Sequence, residues 1–393
     1  MNRLAIVLLF LGALFGACHS SAPRAPERVL ENGVEVVING AEPYPVEGEP
    51  RALEVHEEFR IDLEDEAVAA LGLSDVVQIA LNSRGGMIVF GSNQGQGPFV
   101  FVFDERGAFV RAFLRRGQGP DEVEYPRFLG LTAQGEIPVH DTGTGKLKFF
   151  NDEGGLLRTC AFPREIRTAG RFGLNVLPNG NYLAQYFVLA DGAEIRKIAF
   201  GVFDPDFRKL RDLLAWELLQ NLDELENPVI PFPVIGNSRL GIYACNQSEG
   251  TDISVFDLDG RRMRTIRKPF APVELPVGYE KTLRDGLPPG LPLAKTLKLP
   301  RSFPAFQYFF ADDDGRLFVA TYEKDLKTGQ NMCHVFSPDG VFIFRVALGY
   351  FDYLKVFGEG RAGEAVVRGG RIAWVREKAD GFKEIIVSSL EWR

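Results

Sequence analysis

A six-bladed, all-β propeller is the fold class that the sequence predicts, on three observations. A Gly-initiated apolar strand recurs six times, and a second apolar strand closed by a short turn follows each copy. The copies fall at a period near 50 residues, the mark of four-stranded blades arranged in a ring. The composition of the 393 residues agrees. Thirty-two Phe against four Met and three Trp suits pleated, half-buried surfaces, and 42 Gly with 24 Pro supplies many turns.

The chain begins with a processing signal. Arg3 is a minimal basic region, and Leu4 to Phe15 is an apolar run too short for a membrane span of roughly twenty residues. The run ends in Phe15-Gly16-Ala17-Cys18, which resembles the lipobox of bacterial lipoproteins, although Phe15 stands where Leu is usual. The resemblance implies acylation (a diacyl, palmitate-type anchor) at Cys18, which becomes the mature N-terminus in the cell envelope. His19 rather than Asp after the Cys implies the outer rather than the inner membrane in a host with two. The chain thus divides into a signal peptide over 1–17, a flexible Pro-rich tether over 18–32 and a propeller over 33–393.

The first strand copies are Gly85 to Phe90, Gly135 to Asp141, Gly180 to Tyr186, Leu240 to Asn246, Gly315 to Tyr322 and Gly370 to Glu377. The second copies, as in Phe101 to Gly107 or Val255 to Gly260, end in D-x-x-G or D-G turns, which are hairpin signals. Intervals measured on Asp104, Asn151, Asp204, Asp257, Ser337 and Ser388 are 47, 53, 53, 80 and 51 residues. The long interval is explained by an insertion over 267–304, Pro-rich and basic: seven Lys or Arg against three Asp or Glu give +4. The sixth unit lacks one strand before the chain ends. Either the Val34 to Asn39 strand or Phe59 to Leu63 closes the ring and removes its exposed edges. Residues 207–225 read as a helix, with Leu210, Leu214 and Leu218 at i, i+4 and i+8.

Two stretches carry a family resemblance: Arg115 to Pro126 (RRGQGPDEVEYP) and Pro300 to Tyr322 (PRSFPAFQYFFADDDGRLFVATY). Both resemble bacterial six-bladed β-propeller lipoproteins related to NHL-repeat proteins, over roughly Asn32 to Trp392. The resemblance implies an envelope-anchored propeller and brings no catalytic residues with it.

Net charge is −8, and −9 once Arg3 leaves with the signal, which argues against a nucleic-acid partner. Apart from Cys18 only Cys160, Cys245 and Cys333 are present, so at most one disulfide can form among them; small buried thiols are expected. No G-x-S-x-G and no phosphate-binding P-loop occurs. Gly95-Gln96-Gly97-Pro98 and Gly117-Gln118-Gly119-Pro120 read as rigid turns, since neither opens a helix. Three-His zinc is disfavoured. Of His19, His56, His140 and His334, the first two lie outside the blades, and His140 alternates with Asp141.

The candidate ligand face holds the loops after the Gly-initiated strands together with Arg116 to Tyr125. There Asn93, Arg116, Asp141, Tyr186, Asn246, Glu323 and Glu377 bring polar groups to one channel mouth. The oxygen-bearing members could hold a hard cation such as Ca²⁺, or could simply be polar strand ends facing water. On that reading Asp141→Ala and Glu323→Ala weaken binding and spare stability. Three functions follow: a binding or scaffold propeller for an envelope protein, peptide or carbohydrate; a metal-dependent lactonase, esterase or lyase in the channel; or a structural envelope component. The first is favoured because propellers offer broad faces and no catalytic constellation is visible in the chain.

Overall fold

The computed structural model describes residues 25–91, 97–128, 130–163, 166, 174–189, 195–217, 234–281, 299–349, 365–378 and 380–393. The lipobox and its Cys18 lie outside the described residues. The chain enters through β1 (Glu27–Glu31), β2 (Val34–Ile38) and β3 (Leu53–Asp62), then one helical turn, α1 (Glu66–Ala69). Blade 1 is β4 (Val76–Leu81), β5 (Met87–Gly91), β6 (Val100–Phe103) and β7 (Phe109–Phe113). A short parallel pair, β8 (Arg115–Arg116) and β9 (Glu122–Val123), leads to blade 2. That blade is β10 (Pro126–Phe128), β11 (Ile137–Asp141), β12 (Lys146–Phe150) and β13 (Leu156–Ala161). Blade 3 is β14 (Leu174–Val176), β15 (Tyr182–Leu189), β16 (Ile195–Phe203) and β17 (Lys209–Glu217). Blade 4 is β18 (Val234–Asn237), β19 (Ile242–Cys245), β20 (Ile253–Phe256) and β21 (Arg262–Arg267). Blade 5 is β22 (Tyr308–Ala311), β23 (Leu317–Lys324), β24 (Asn331–Phe336) and β25 (Phe342–Leu348). Blade 6 has β26 (Val366–Arg368), β27 (Arg371–Glu377) and β28 (Lys383–Trp392) from the C-terminus, and β3 as its fourth strand.

The predicted all-β six-bladed propeller is the observed fold. Its core lies between the blades. Met87 and Val89 pack toward blade 6 while Ile88 and Phe90, alternating with them, pack toward blade 2. A blade buried on both faces therefore reads as a continuous apolar run, as the Gly-initiated strands do.

One turn device repeats around one face. Asp104, Asn151, Asp204 and Asp257 each accept two backbone amides on a single side-chain oxygen, closing the turn before the outer strand. Three residues later the chain takes positive φ, at +81° for Gly107. A Cβ on Gly107 would stand 2.5 Å from the Phe59 ring of the neighbouring blade, so this turn needs Gly for both dihedral and space. Blade 3 has Phe207 at the equivalent place with φ 62°. Its ring stacks on Tyr182 at 4.5 Å and meets Phe162 edge-on at 5.3 Å, filling the gap that the other turns close with Gly.

Of the two candidate closing segments, the second is used. β3 pairs antiparallel with β28 from Leu53↔Trp392 to Asp62↔Glu384. The Val34 to Asn39 strand instead enters blade 4, where β2 runs parallel to β21 and β1 forms the outermost edge of a six-stranded sheet. The flexible tether assigned to 18–32 is therefore too long, because Glu27–Glu31 is paired strand.

The helix expected over 207–225 is also corrected. Lys209–Glu217 is the outer strand of blade 3, and 218–225 lies outside the described residues. Spacing of four satisfies a strand as well as a helix, because four is an even number. Two bulges in the pairing with β16 then let Leu213, Leu214 and Trp216 all pack against the blade 3–blade 4 core.

The described legs of the 267–304 insertion pair with each other: the Leu275 amide donates to the Arg301 carbonyl at 3.0 Å and the Phe303 amide to Val273 at 2.9 Å. Phe303 lies flat on Tyr322 of β23, centroids 4.2 Å apart and planes 4° apart, so the insertion is fastened to blade 5.

Candidate functional site

The residues expected at the channel mouth mostly serve their own loops. Asp141, fully buried at the end of β11, accepts from the backbone amides of Glu124 and Tyr125, each at 3.1 Å, and of Gly143 at 3.3 Å. The Thr144 hydroxyl donates to its other oxygen at 2.8 Å. Burial alone would raise its pKa, but these four donors hold the carboxyl below the usual aspartate value. Its lone pairs are occupied, so it is a loop-closing residue here.

Tyr186 is not a strand end, since β15 runs on to Leu189. Its hydroxyl donates to Asp212 on the outer strand, and its ring meets Phe203 edge-on inside the blade 2–blade 3 core. Burial and the Asp212 carboxylate push the phenol up to about 12. Asn246 closes its own turn, bonding Ser248 and Glu249. Glu377 ends β27 opposite Lys383. Arg116 is exposed, with its guanidinium 5.7 Å from the Tyr125 ring centre. Beside it the Gly119 amide bonds Glu122 at 2.8 Å and Lys148 reaches the carbonyls of Gly119 and Glu122, so this turn is rigid, as its Gly and Pro content predicts. Asn93 lies outside the described residues.

The carboxylates of Asp141, Glu323 and Glu377 share no cluster of three metal-ligating groups among the described residues. The one such cluster there is Glu54, His56 and Glu391, exposed on the closing strand and its neighbour, with Arg393 already paired to both carboxylates. His140 packs on Phe162 at 4.4 Å, and burial drives its pKa down to about 4. Cys160, Cys245 and Cys333 are all free thiols; burial pushes Cys245 up to about 12.

Glu323 differs. Residues of β23, β24 and β25 on the side facing blade 4 place Val319, His334 and Arg345 in one cross-strand row, with Glu323 near its end. His334 is 1% exposed and Lys268, just past β21, is 4% exposed. The imidazole lies parallel to the Phe270 ring at 5.7 Å and near Phe342 at 5.1 Å. Its Nε2 is 3.7 Å from the Glu323 carboxylate, and neither ring nitrogen has a hydrogen-bond partner. Lys268 Nζ sits over the faces of Phe270 and Phe342 at 4.9 and 4.7 Å and donates to the Pro269 carbonyl at 2.9 Å. Arg345 is committed to Glu42 at 3.0 Å and the Ala41 carbonyl at 2.5 Å. Burial lowers the pKa of Lys268 to about 8, and burial likewise lowers that of His334. Buried polar atoms in folded proteins are almost always matched, so an imidazole whose one polar neighbour is the Glu323 carboxylate at 3.7 Å sets this part of the blade 4–blade 5 interface apart.

In the sequence His334 stands out only as one of four histidines, and Lys268 only as part of the positive charge of the 267–304 insertion. The available signal was a His in an apolar strand, at a position that alternation turns inward, and a Lys directly past a strand end. A crevice of about 360 Å³ opens between blades 2 and 3 on the hairpin-turn face, lined in part by Thr132, Glu136, Arg158 and Tyr182. Arg158 pairs with Glu136 there at 2.8 Å and lies on the Phe149 ring, so its charges are already balanced.

The described residues thus define a six-bladed β-propeller with a buried His334–Lys268 pair beside Glu323 between blades 4 and 5. No protein-family model and no curated protein matches the chain. Solved structures resemble it at low identity. A Bacteroides fragilis protein described as exported is 13% identical, with 91% of this chain and 99% of that one covered and a TM-score of 0.49. A Bacteroides vulgatus member of the DUF4221 family is 9% identical, covering 88% and 100%, with a TM-score of 0.47. A Xanthomonas campestris gluconolactonase is 13% identical, covering 87% and 97%, with a TM-score of 0.43. At these identities the likeness concerns the fold alone.

Proposed function

We propose that the protein is a cell-envelope lipoprotein whose propeller binds a protein, peptide or carbohydrate ligand, with the blade 4–blade 5 rim around Glu323 as the recognition site. The observation that carries this reading is the insertion stem seated on Tyr322, next to Glu323 and following on from Lys268. A basic segment fastened beside the partly exposed Glu323 is an arrangement for holding a partner, with the basic charge drawing in acidic groups.

Anchoring belongs to the same proposal. At no more than about 3.6 Å per residue, the nine residues from Cys18 to Glu27 would keep the outer edge of blade 4 within about 30 Å of the bilayer. Acyl labelling that disappears in Cys18→Ser supports this address, and labelling unchanged in that variant removes it.

The binding test uses the mature chain on arrays of envelope glycans and peptides, beside Glu323→Ala. Expected is a bound class whose affinity falls about tenfold or more in the variant, with Tm nearly unchanged. Full binding by Glu323→Ala would move the site elsewhere. Bound Ca²⁺ in stoichiometric amount, with metal-dependent hydrolysis of a lactone or ester, would instead support the enzymatic alternative in the channel.

A further inference from the structure

We propose that Glu54, His56 and Glu391 form a surface site for a divalent transition-metal ion of the Zn²⁺ type, which fastens the closed ring across its first and last strands. The site is independent of the ligand reading above. Strand register creates it. Glu54 stands directly opposite Glu391, and His56 opposite Ser389, in the ladder between β3 and β28. Leu53, Val55, Leu390 and Trp392 turn to the blade 5–blade 6 core, so Glu54, His56 and Glu391, which alternate with them, share the other face. Two carboxylates placed directly opposite repel each other and weaken the ladder that closes the ring. Arg393 offsets part of that repulsion, pairing with one oxygen of Glu54 at 2.7 Å and one of Glu391 at 3.5 Å. The second oxygen of each carboxylate faces the imidazole, at 3.6 Å from His56 Nε2 for Glu54 and 3.4 Å for Glu391.

These spacings suit a metal's ligand set. Zn²⁺ binds imidazole nitrogen and carboxylate oxygen at about 2.0–2.2 Å, so two ligand atoms on its tetrahedron stand about 3.3–3.6 Å apart. One ligand atom from each of the three residues lies within 4.8 Å of the other two. The three side chains are between 41% and 57% exposed, so an ion reaches them directly and water fills the remaining position. One nitrogen with two oxygens suits Zn²⁺ and its neighbours in the series, whereas Ca²⁺ and Mg²⁺ want six or more oxygens. Glu54 and Glu391 lie more than 330 residues apart in the chain, and only the closed ring brings them together. The ion therefore binds the folded chain in preference to the unfolded one and stabilises the closure by linkage.

The experiment uses the mature, untagged, metal-stripped chain with Zn²⁺ and Ca²⁺ as probes, at neutral pH and physiological salt. Calorimetry reads affinity, thermal melts read stability, and the imidazole NMR spectrum reads His56, assigned among four histidines by comparison with His56→Gln. Expected is one Zn²⁺ per chain with a Kd of about 100 µM or tighter, at least about tenfold tighter than Ca²⁺. Zn²⁺ at about 100-fold over Kd should raise Tm by about 3–5 °C and shift the His56 resonance. His56→Gln and Glu391→Gln should each weaken Zn²⁺ binding at least about tenfold and lose the gain in Tm. Without metal, His56→Gln at its exposed position should melt within about 1 °C of the parent. Glu57→Gln, whose carboxylate is held by Arg60, should bind Zn²⁺ as the parent does. No Zn²⁺ binding, Ca²⁺ bound as tightly, an unmoved His56 resonance, or binding undiminished in His56→Gln would overturn the site. Zn²⁺ bound at His56 without any gain in Tm would overturn the fastening role. Metal preference and the gain in Tm are read on the unmutated chain and stand even if a variant does not fold.

Discussion

A chain that begins at Leu63 should fail to give a folded monomer. β3 is the fourth strand of blade 6, and removing it breaks a ladder that runs from Leu53 to Asp62 against β28. It also takes Ile61 from the blade 6–blade 1 core and Leu53 from the blade 5–blade 6 core. The long β28 edge would be left open, a template for aggregation. Total stability of a folded domain is about 5–15 kcal/mol, and losing an entire strand with its core side chains takes a large part of that. Expression of residues 63–393 should yield aggregate or a chain without a cooperative melt, whereas a chain from Pro50 that loses β1 and β2 should still close its ring. A soluble, cooperatively melting 63–393 chain would show that the closure is dispensable.

The same region shows how far sequence reading reaches. The period and the Gly-initiated strands are legible because each blade repeats the same burial problem: two apolar faces and a turn that approaches its neighbour. Ring closure is less legible. Val34 to Asn39 and Phe59 to Leu63 both carry β-forming residues, and which strand pairs with β28 depends on contacts more than 300 residues away along the chain. The Leu210, Leu214 spacing misleads for a local reason, since it fits both periods and only the bulged pairing with β16 decides. The candidate site divides along the same line. Polarity at Asp141, Asn246 and Glu323 is visible in the chain. Whether a carboxylate is already saturated, as at Asp141, or stands beside an unmatched imidazole, as at Glu323, is set by partners from other elements. His334 and Lys268 lie 66 residues apart, and only the packing of blade 5 against blade 4 brings them to the same two rings.

Asp141→Ala should lower stability and leave ligand binding in place, the reverse of the channel-mouth expectation. The carboxylate joins the turn after β11 to the Glu124–Tyr125 link from blade 1, so its loss leaves three backbone amides and the Thr144 hydroxyl, all part-buried, without their acceptor. Leaving such donors unmatched costs about 2–4 kcal/mol in sum, or a fall in Tm of roughly 3–5 °C for a chain of this length. Asp141→Asn keeps one accepting oxygen and should lose less. The pH profile separates this role from mere space filling. Because the folded pKa lies below the usual aspartate value, its stabilisation is fully present above about 4 and is lost as pH falls through the folded value. Thermal melts from pH 7 to pH 3 should therefore converge for the parent and Asp141→Ala at the acid end and stand furthest apart near neutrality. Unchanged melting with lost binding would return Asp141 to the ligand site and withdraw the loop-closing role assigned to it.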